Sequence, residues 1–136
     1  MRSPARAAEV FDALELPSQI EDTAEGVRTI VVRLPVERAA AQLEGHYPGF
    51  PILPGVLLID AVRQVAESAQ GTRLRLCGIE RARFVRPLLP GDEVELTVSV
   101  SSRTDRLIRA LAKGVRADGE AAAELSVTLE PVVVDA

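Results

Sequence analysis

Residue types suited to acid-base chemistry stand close together in the stretch Gly45 to Gln64. It holds His46, which is the only histidine of the chain, Asp60 fourteen residues on, and Gln64 four residues after that. A neutral imidazole can take up a proton near neutral pH. A carboxyl group can deliver one, and Gln64, at i+4 from Asp60 if the segment is helical, is within reach of that carboxyl group. Pro48, Gly49, Pro51, Pro54 and Gly55 lie between. They turn the chain sharply and lead into an apolar run whose first N–H groups, at Gly55 and Val56, would be free to polarise a carbonyl oxygen. A base, an acid and an oxyanion-type donor are the parts needed to remove a proton α to a carbonyl and expel a β-hydroxyl. Each has a plainer reading: a lone histidine is more often a surface or structural residue, and Asp60 could be turned to solvent beside Arg63. The helical pattern disfavours the second, because Arg63 and Glu67 make a better wet edge and an ionised carboxylate on an apolar face is costly unless paired.

The elements that must position these residues are legible from the pattern. Gly55 to Gln70 is expected to be a helix, with Pro54-Gly55 before it and Gly71 as its C-cap. Its first half is apolar nearly all round, which implies a buried helix. Val27 to Leu34 is β-branched and bounded by Gly26 and Pro35, so it is expected to be a strand. Leu74 to Arg86, Glu93 to Ser102, Leu107 to Ala117 and Glu120 to Glu130 are four further strands separated by turn residues, which implies an antiparallel meander. Alternation at Val94, Leu96, Val98 and Val100 gives one buried face. Val10 to Leu16 is open between short helix and strand, and Glu37 to Leu43 has about two helical turns of Ala-rich sequence. Residues 1–8 read as a loosely held terminus. The fold class is α+β, one long helix against a curved antiparallel sheet in a single domain spanning 1–136.

Composition narrows the function. The 136 residues carry a net charge of -4, which argues against a generic nucleic-acid binder, although Arg outnumbers Lys so strongly that local basic patches remain open. One cysteine, Cys77, cannot form an internal disulfide and reads as a small apolar strand residue. The N-terminus lacks the apolar core of a signal peptide and no run is long enough to span a bilayer, so a cytoplasmic protein without membrane contact is expected. No metal-ligand spacing, phosphate-binding Gly loop or Ser/His/Asp set is present, and the elimination requires none.

Two blocks carry a resemblance. Gly45-His46-Tyr47-Pro48-Gly49-x-Pro51-Ile52-x-Pro54-Gly55-Val56-Leu57-x-x-Asp60-Ala61-x-x-Gln64 and Ala82-Arg83-Phe84-x-Arg86-Pro87-x-x-Pro90-Gly91-Asp92 resemble the hot-dog-fold 3-hydroxyacyl-acyl-carrier-protein dehydratases of type II fatty acid synthesis, in the same order and separation. The resemblance implies a long helix wrapped by a curved sheet, and a dimer in which His46 of one subunit meets Asp60 of the other. It implies roles too: His46 the base, Asp60 the acid, Gly55 the donor to the thioester carbonyl, Gln64 the residue that orients the acid. Tyr47 departs from the usual Phe, and Asp60 stands where broad-range members carry Glu and the dehydratase/isomerase branch carries Asp. The family's opening helix is not recognisable, which tips Val10 to Leu16 toward strand.

The same resemblance implies that substrate arrives on the phosphopantetheine arm of an acyl carrier protein, with no other cofactor. Arg83 and Arg86, with Arg81, Arg103, Arg106 and Arg109, are candidates for docking that acidic carrier, against the plainer reading of a solvated sheet face. The expected activity is dehydration of a 3-hydroxyacyl thioester to the trans-2-enoyl thioester, in fatty acid or polyketide synthesis. A thioesterase or enoyl-thioester hydratase of the same fold, and a non-catalytic partner in a heterodimer, are the alternatives to a catalytic homodimer or larger homo-oligomer.

Overall fold

The structure, a computed structural model, describes residues 18–22, 26–36, 55–89, 91–104 and 106–132. His46, the turn from Pro48 to Pro54, residues 1–8, Val10 to Leu16 and Glu37 to Leu43 lie outside them. Among the described residues the elements run β1 Ser18–Asp22, β2 Arg28–Pro35, α1 Gly55–Gln70, β3 Leu74–Phe84, β4 Glu93–Ser102, β5 Ile108–Arg116 and β6 Ala121–Pro131. All pairings are antiparallel, in one sheet of order β1-β2-β4-β5-β6-β3.

The strands form where β-branched residues alternate with polar ones. Val94, Leu96, Val98 and Val100 of β4 are buried and lie in register with Leu34, Val32, Ile30 and Arg28 of β2, so three apolar rows continue directly across the two strands. On the other side Ala110 and Ala112 of β5 oppose Val100 and Val98, and the small side chains leave room for the helix. Each Val or Leu fully buried here contributes about 1.5–3 kcal/mol. The helix meets this floor through Leu58, Ala61, Val62, Val65, Ala66 and Ala69, all buried and all at i, i+3, i+4 spacing. It is therefore one-faced rather than buried all round: Leu57 and Ile59 are only half-buried, and Ser68 and Gln70 are exposed. Its C-terminus ends at Gly71, whose φ of 69° suits glycine and whose N–H bonds to Glu67 O at 2.8 Å. Arg28 Nη1 reaches across from β2 to Ala69 O at 2.8 Å, placing a cation at the negative end of the helix.

Two expectations need correction. A meander through all four C-terminal strands fails at its first step, since β3 pairs with β6 and β4 pairs with β2 and β5. The Pro-rich segment after β3 does not turn back as a hairpin. Val85 N–H bonds to Ala122 O at 2.8 Å, Leu88 is buried, and at its far end Val36 N–H bonds to Asp92 O at 3.0 Å, so the segment crosses from the β6 side to the β2 side. The second is β1, which sequence alone did not reveal because Ser-Gln-Ile-Glu-Asp has one apolar residue and no alternation to detect. It is a strand by virtue of its ladder with β2, from Ser18 opposite Val32 to Asp22 opposite Arg28.

Candidate active site

Asp60 stands in the second turn of α1, one turn beyond Val56 on the same helix face. Gly55 and Val56 open the helix, so their N–H groups have no acceptor within it. Helical Cα–Cβ bonds tilt toward the N-terminus, so Asp60 leaves the helix on the side of its opening turn while Arg63 and Gln64 of the next turn reach back to its carboxylate. The separation along the axis is about 6 Å, four residues at about 1.5 Å each.

Both carboxylate oxygens of Asp60 are engaged. Gln64 Nε2 donates to Oδ2 at 2.8 Å from a side chain that is itself only 1% exposed. Arg63 Nε donates to Oδ1 at 2.9 Å. The Asp60 side chain stays 36% exposed, so one side of the group is open. This pairing with Arg63 is the arrangement that the helical pattern disfavoured, and the reason lies in what Arg63 and Glu67 do. They are not a wet edge: their side chains are 14% and 11% exposed. Arg63 Nη1 binds Glu67 Oε2 at 2.8 Å and Leu74 O at 3.3 Å, while Glu67 Oε2 accepts the Leu74 N–H at 2.8 Å. The pair ties the helix to the first residue of β3, which supplies the polar partners that make such burial tolerable.

Gly55 faces Phe84, the last residue of β3. A Cβ at position 55 would lie 2.7 and 2.8 Å from two carbons of the Phe84 ring. The absence of a side chain at position 55 lets the aromatic ring approach closely, and the half-exposed ring stands as an apolar wall beside the opening N–H groups of the helix. Phe84 was quoted in the sequence only as part of a motif, and its contact with Gly55 carries no sequence signal because the two are 29 positions apart in the chain.

The remaining candidates are spread out. Arg83 is exposed on β3 and lies opposite Glu124, on the other face of the strand from Phe84, whereas Arg86 gives Nη1 to Ala121 O at 2.7 Å and Nη2 to Glu120 at 3.3 Å, so it holds the start of β6. Arg81 pairs with Glu124 at 3.6 Å, and Arg103 and Arg106 are exposed at the β4–β5 turn. Arg109 is half-buried on the sheet face opposite to α1, its chain neighbours Ile108 and Ala110 being buried on the helix side. Cys77, expected as a small apolar strand residue, does lie on β3, where it is exposed. Among the described residues no cluster of His, Cys, Asp and Glu could hold a metal, and no helix is long and apolar enough to cross a membrane.

Comparison with known proteins gives a consistent picture. The family model described as ApeI-like, ApeI dehydratase, matches residues 21–124. The 3-hydroxyacyl-acyl-carrier-protein dehydratase FabZ of Polynucleobacter necessarius subsp. necessarius is 41% identical over 92 residues, which is 62% of this chain and 61% of that protein, so the match spans about three fifths of the relative. The FabZ of Caldanaerobacter subterraneus subsp. tengcongensis is 34% identical over 126 residues, covering 88% of this chain and 85% of that protein. Among solved structures, the dehydratase heterocomplex ApeI:P from Xenorhabdus doucetiae is similar in fold, with a TM-score of 0.55 at 23% identity over 85% of this chain and 98% of that chain.

Proposed function

Since the chain belongs to the ApeI-like dehydratase family, whose model matches residues 21–124, we propose that it removes water from a 3-hydroxyacyl thioester carried on the phosphopantetheine arm of an acyl carrier protein. The observation that carries this reading is the Asp60 carboxylate, held at both oxygens and set one turn behind the free N–H groups of Gly55 and Val56. A thioester carbonyl accepting those N–H groups has its α-carbon acidified, because negative charge developing on the oxygen meets donors already in place. His46 takes the α-proton, the Cα–H electron pair becomes the Cα=Cβ bond, and the Cβ–O bond breaks. Asp60, in its protonated form, supplies the proton with which the hydroxyl leaves as water, and the proton taken up by His46 is then returned to Asp60 so that the next turnover starts from the same state. Gln64 holds the acid in orientation. No metal or redox cofactor takes part in this sequence of steps.

The family and the two FabZ relatives support dehydration over the thioesterase reading, and the acyl chain is that of fatty acid or polyketide synthesis. The setting is the cytoplasm. Arg83 is a docking candidate on its exposure alone, with Arg86 contributing less because it serves β6.

The site is read as shared between two copies. Strand β3 sits at the edge of the sheet, its burial falls away after Leu74, and Leu76, Ile79, Phe84 and Val85 are all exposed. An open edge with this much apolar surface fits a second chain. The partner is a second copy in the simplest case; a related chain is the alternative, supported by the heterocomplex in which the similarly folded Xenorhabdus protein was solved. The test is intact-mass measurement of a carrier-bound 3-hydroxyacyl substrate. Loss of one water with the thioester intact is expected, and His46→Ala and Asp60→Asn should each slow it by about 10²- to 10⁴-fold, the usual worth of a positioned acid or base. Release of the free carrier thiol, or full turnover by both folded variants, overturns the reading.

A further inference from the structure

We propose that Arg63 is a positioning residue of the reaction, acting through Asp60 rather than on the substrate. The inference rests on the reading of Asp60 as the acid, and goes beyond it by assigning a role to a residue that neither sequence pattern nor family resemblance marked. Among the described residues Arg63 reaches three groups in different directions: Nε to Asp60 Oδ1 at 2.9 Å, and Nη1 to Glu67 Oε2 at 2.8 Å and to the Leu74 carbonyl at 3.3 Å. An arginine linked only to acids of its own helix could swing with them. The Leu74 contact, reinforced by the Leu74 N–H to Glu67 at 2.8 Å, refers the guanidinium to a second element. The planar fork then fixes where Oδ1 sits, while Gln64, buried beneath, fixes Oδ2 at 2.8 Å. With both oxygens held, rotation of the carboxylate about its last bond is blocked. That bond is otherwise broad and roughly two-fold in its preference. Aspartate has a shorter side chain than glutamate and cannot find its geometry by flexing, so the strand-anchored arginine supplies what reach does not.

The experiment is a double-mutant cycle on the full chain in its native assembly, using one carrier-bound 3-hydroxyacyl thioester: wild type, Arg63→Ala, Asp60→Asn and the double variant. The expected result is a fall in kcat of about 10- to 100-fold for Arg63→Ala, the scale on which a misplaced reacting group acts, with KM little changed. In the Asp60→Asn background the same substitution should cost nothing further, because its effect runs through the carboxylate. Glu67→Gln, which keeps Arg63 but loosens it, should give a smaller fall of the same kind and serves as the readout if Arg63→Ala does not fold. Arg63→Lys keeps the charge but not the fork, and should recover only part of the loss. Equal losses in the two backgrounds, or Arg63→Ala and Glu67→Gln both turning over at the wild-type rate, would overturn the proposal. Full activity of Asp60→Asn would instead sink the assignment of the acid itself.

Discussion

Gly55 answers to two demands, a free N–H at the opening of the helix and contact with the ring of Phe84. The second can be measured separately. Gly55→Ala forces a methyl group to within 2.8 Å of ring carbons, and such overpacking costs about 1–3 kcal/mol. Gly55→Ala should therefore lower the unfolding free energy in chemical denaturation by at most that amount, since the Phe84 ring is 46% exposed and has room to turn aside. In a Phe84→Ala background the same change should cost much less, since the obstacle is gone. Equal costs in both backgrounds would show that the ring is not the constraint. The case also marks what sequence can reveal at this scale. Asp60 and Gln64 were legible as a pair because i and i+4 positions on a helix face each other whatever the fold. The Phe84–Gly55 contact and the Arg63–Leu74 tie join the helix to β3, and local periodicity carries no information about such contacts. Arg63 and Glu67 were misjudged for this reason: on the helix alone they are its most polar edge, and only the first residue of β3 turns that edge into a buried one.

At the scale of elements, the β5–β6 hairpin is held by charge as well as by its ladder. Asp118 in the turn accepts from Arg116 Nη2 at 2.6 Å and from the Glu120 N–H at 3.0 Å, and Gly119 takes a φ of 87°. The Arg116 side-chain hydrogen bond first, then the Glu120 backbone N–H, hold the Asp118 carboxyl below its ordinary value. A group whose folded value lies below its unfolded value stabilises the fold above the unfolded value and stops doing so as pH falls through the folded one. Asp118→Asn should accordingly melt earlier than wild type at neutral pH. The difference should shrink as the pH drops below about 4, where a free carboxyl begins to protonate. A gap that stays constant from pH 7 to pH 3 would contradict this. The elements themselves were well signalled where a pattern repeated: β4 falls at Glu93–Ser102 as expected, and α1 at Gly55–Gln70. Pairing was less legible. Short turns between β4, β5 and β6 predicted their order, but the eight residues between Phe84 and Glu93 have the look of a turn and the course of a crossing.

On the scale of the whole molecule, the described residues bring together a six-stranded sheet, the helix α1 and an edge strand, β3, that is incompletely covered. The helix α1 packs over β2, β4 and β5 and touches both ends of β3, while the middle of β3 carries exposed apolar residues and its outer edge pairs with no strand among the described residues. No feature of a single sequence displays that asymmetry, since β3 reads as an ordinary strand until its place in the sheet is known. On the function proposed above, one turnover needs His46 and Asp60 at the same centre, drawn from two copies joined through this edge. The direct measurement is dehydration by a doubly tagged hetero-assembly, co-expressed and purified, in which one copy carries His46→Ala and the other Asp60→Asn. In a two-fold dimer with shared sites, one of the two centres keeps both residues intact, so about half of wild-type turnover is predicted although each parent alone is nearly inactive. A mixed assembly as inactive as its parents would contradict the claim.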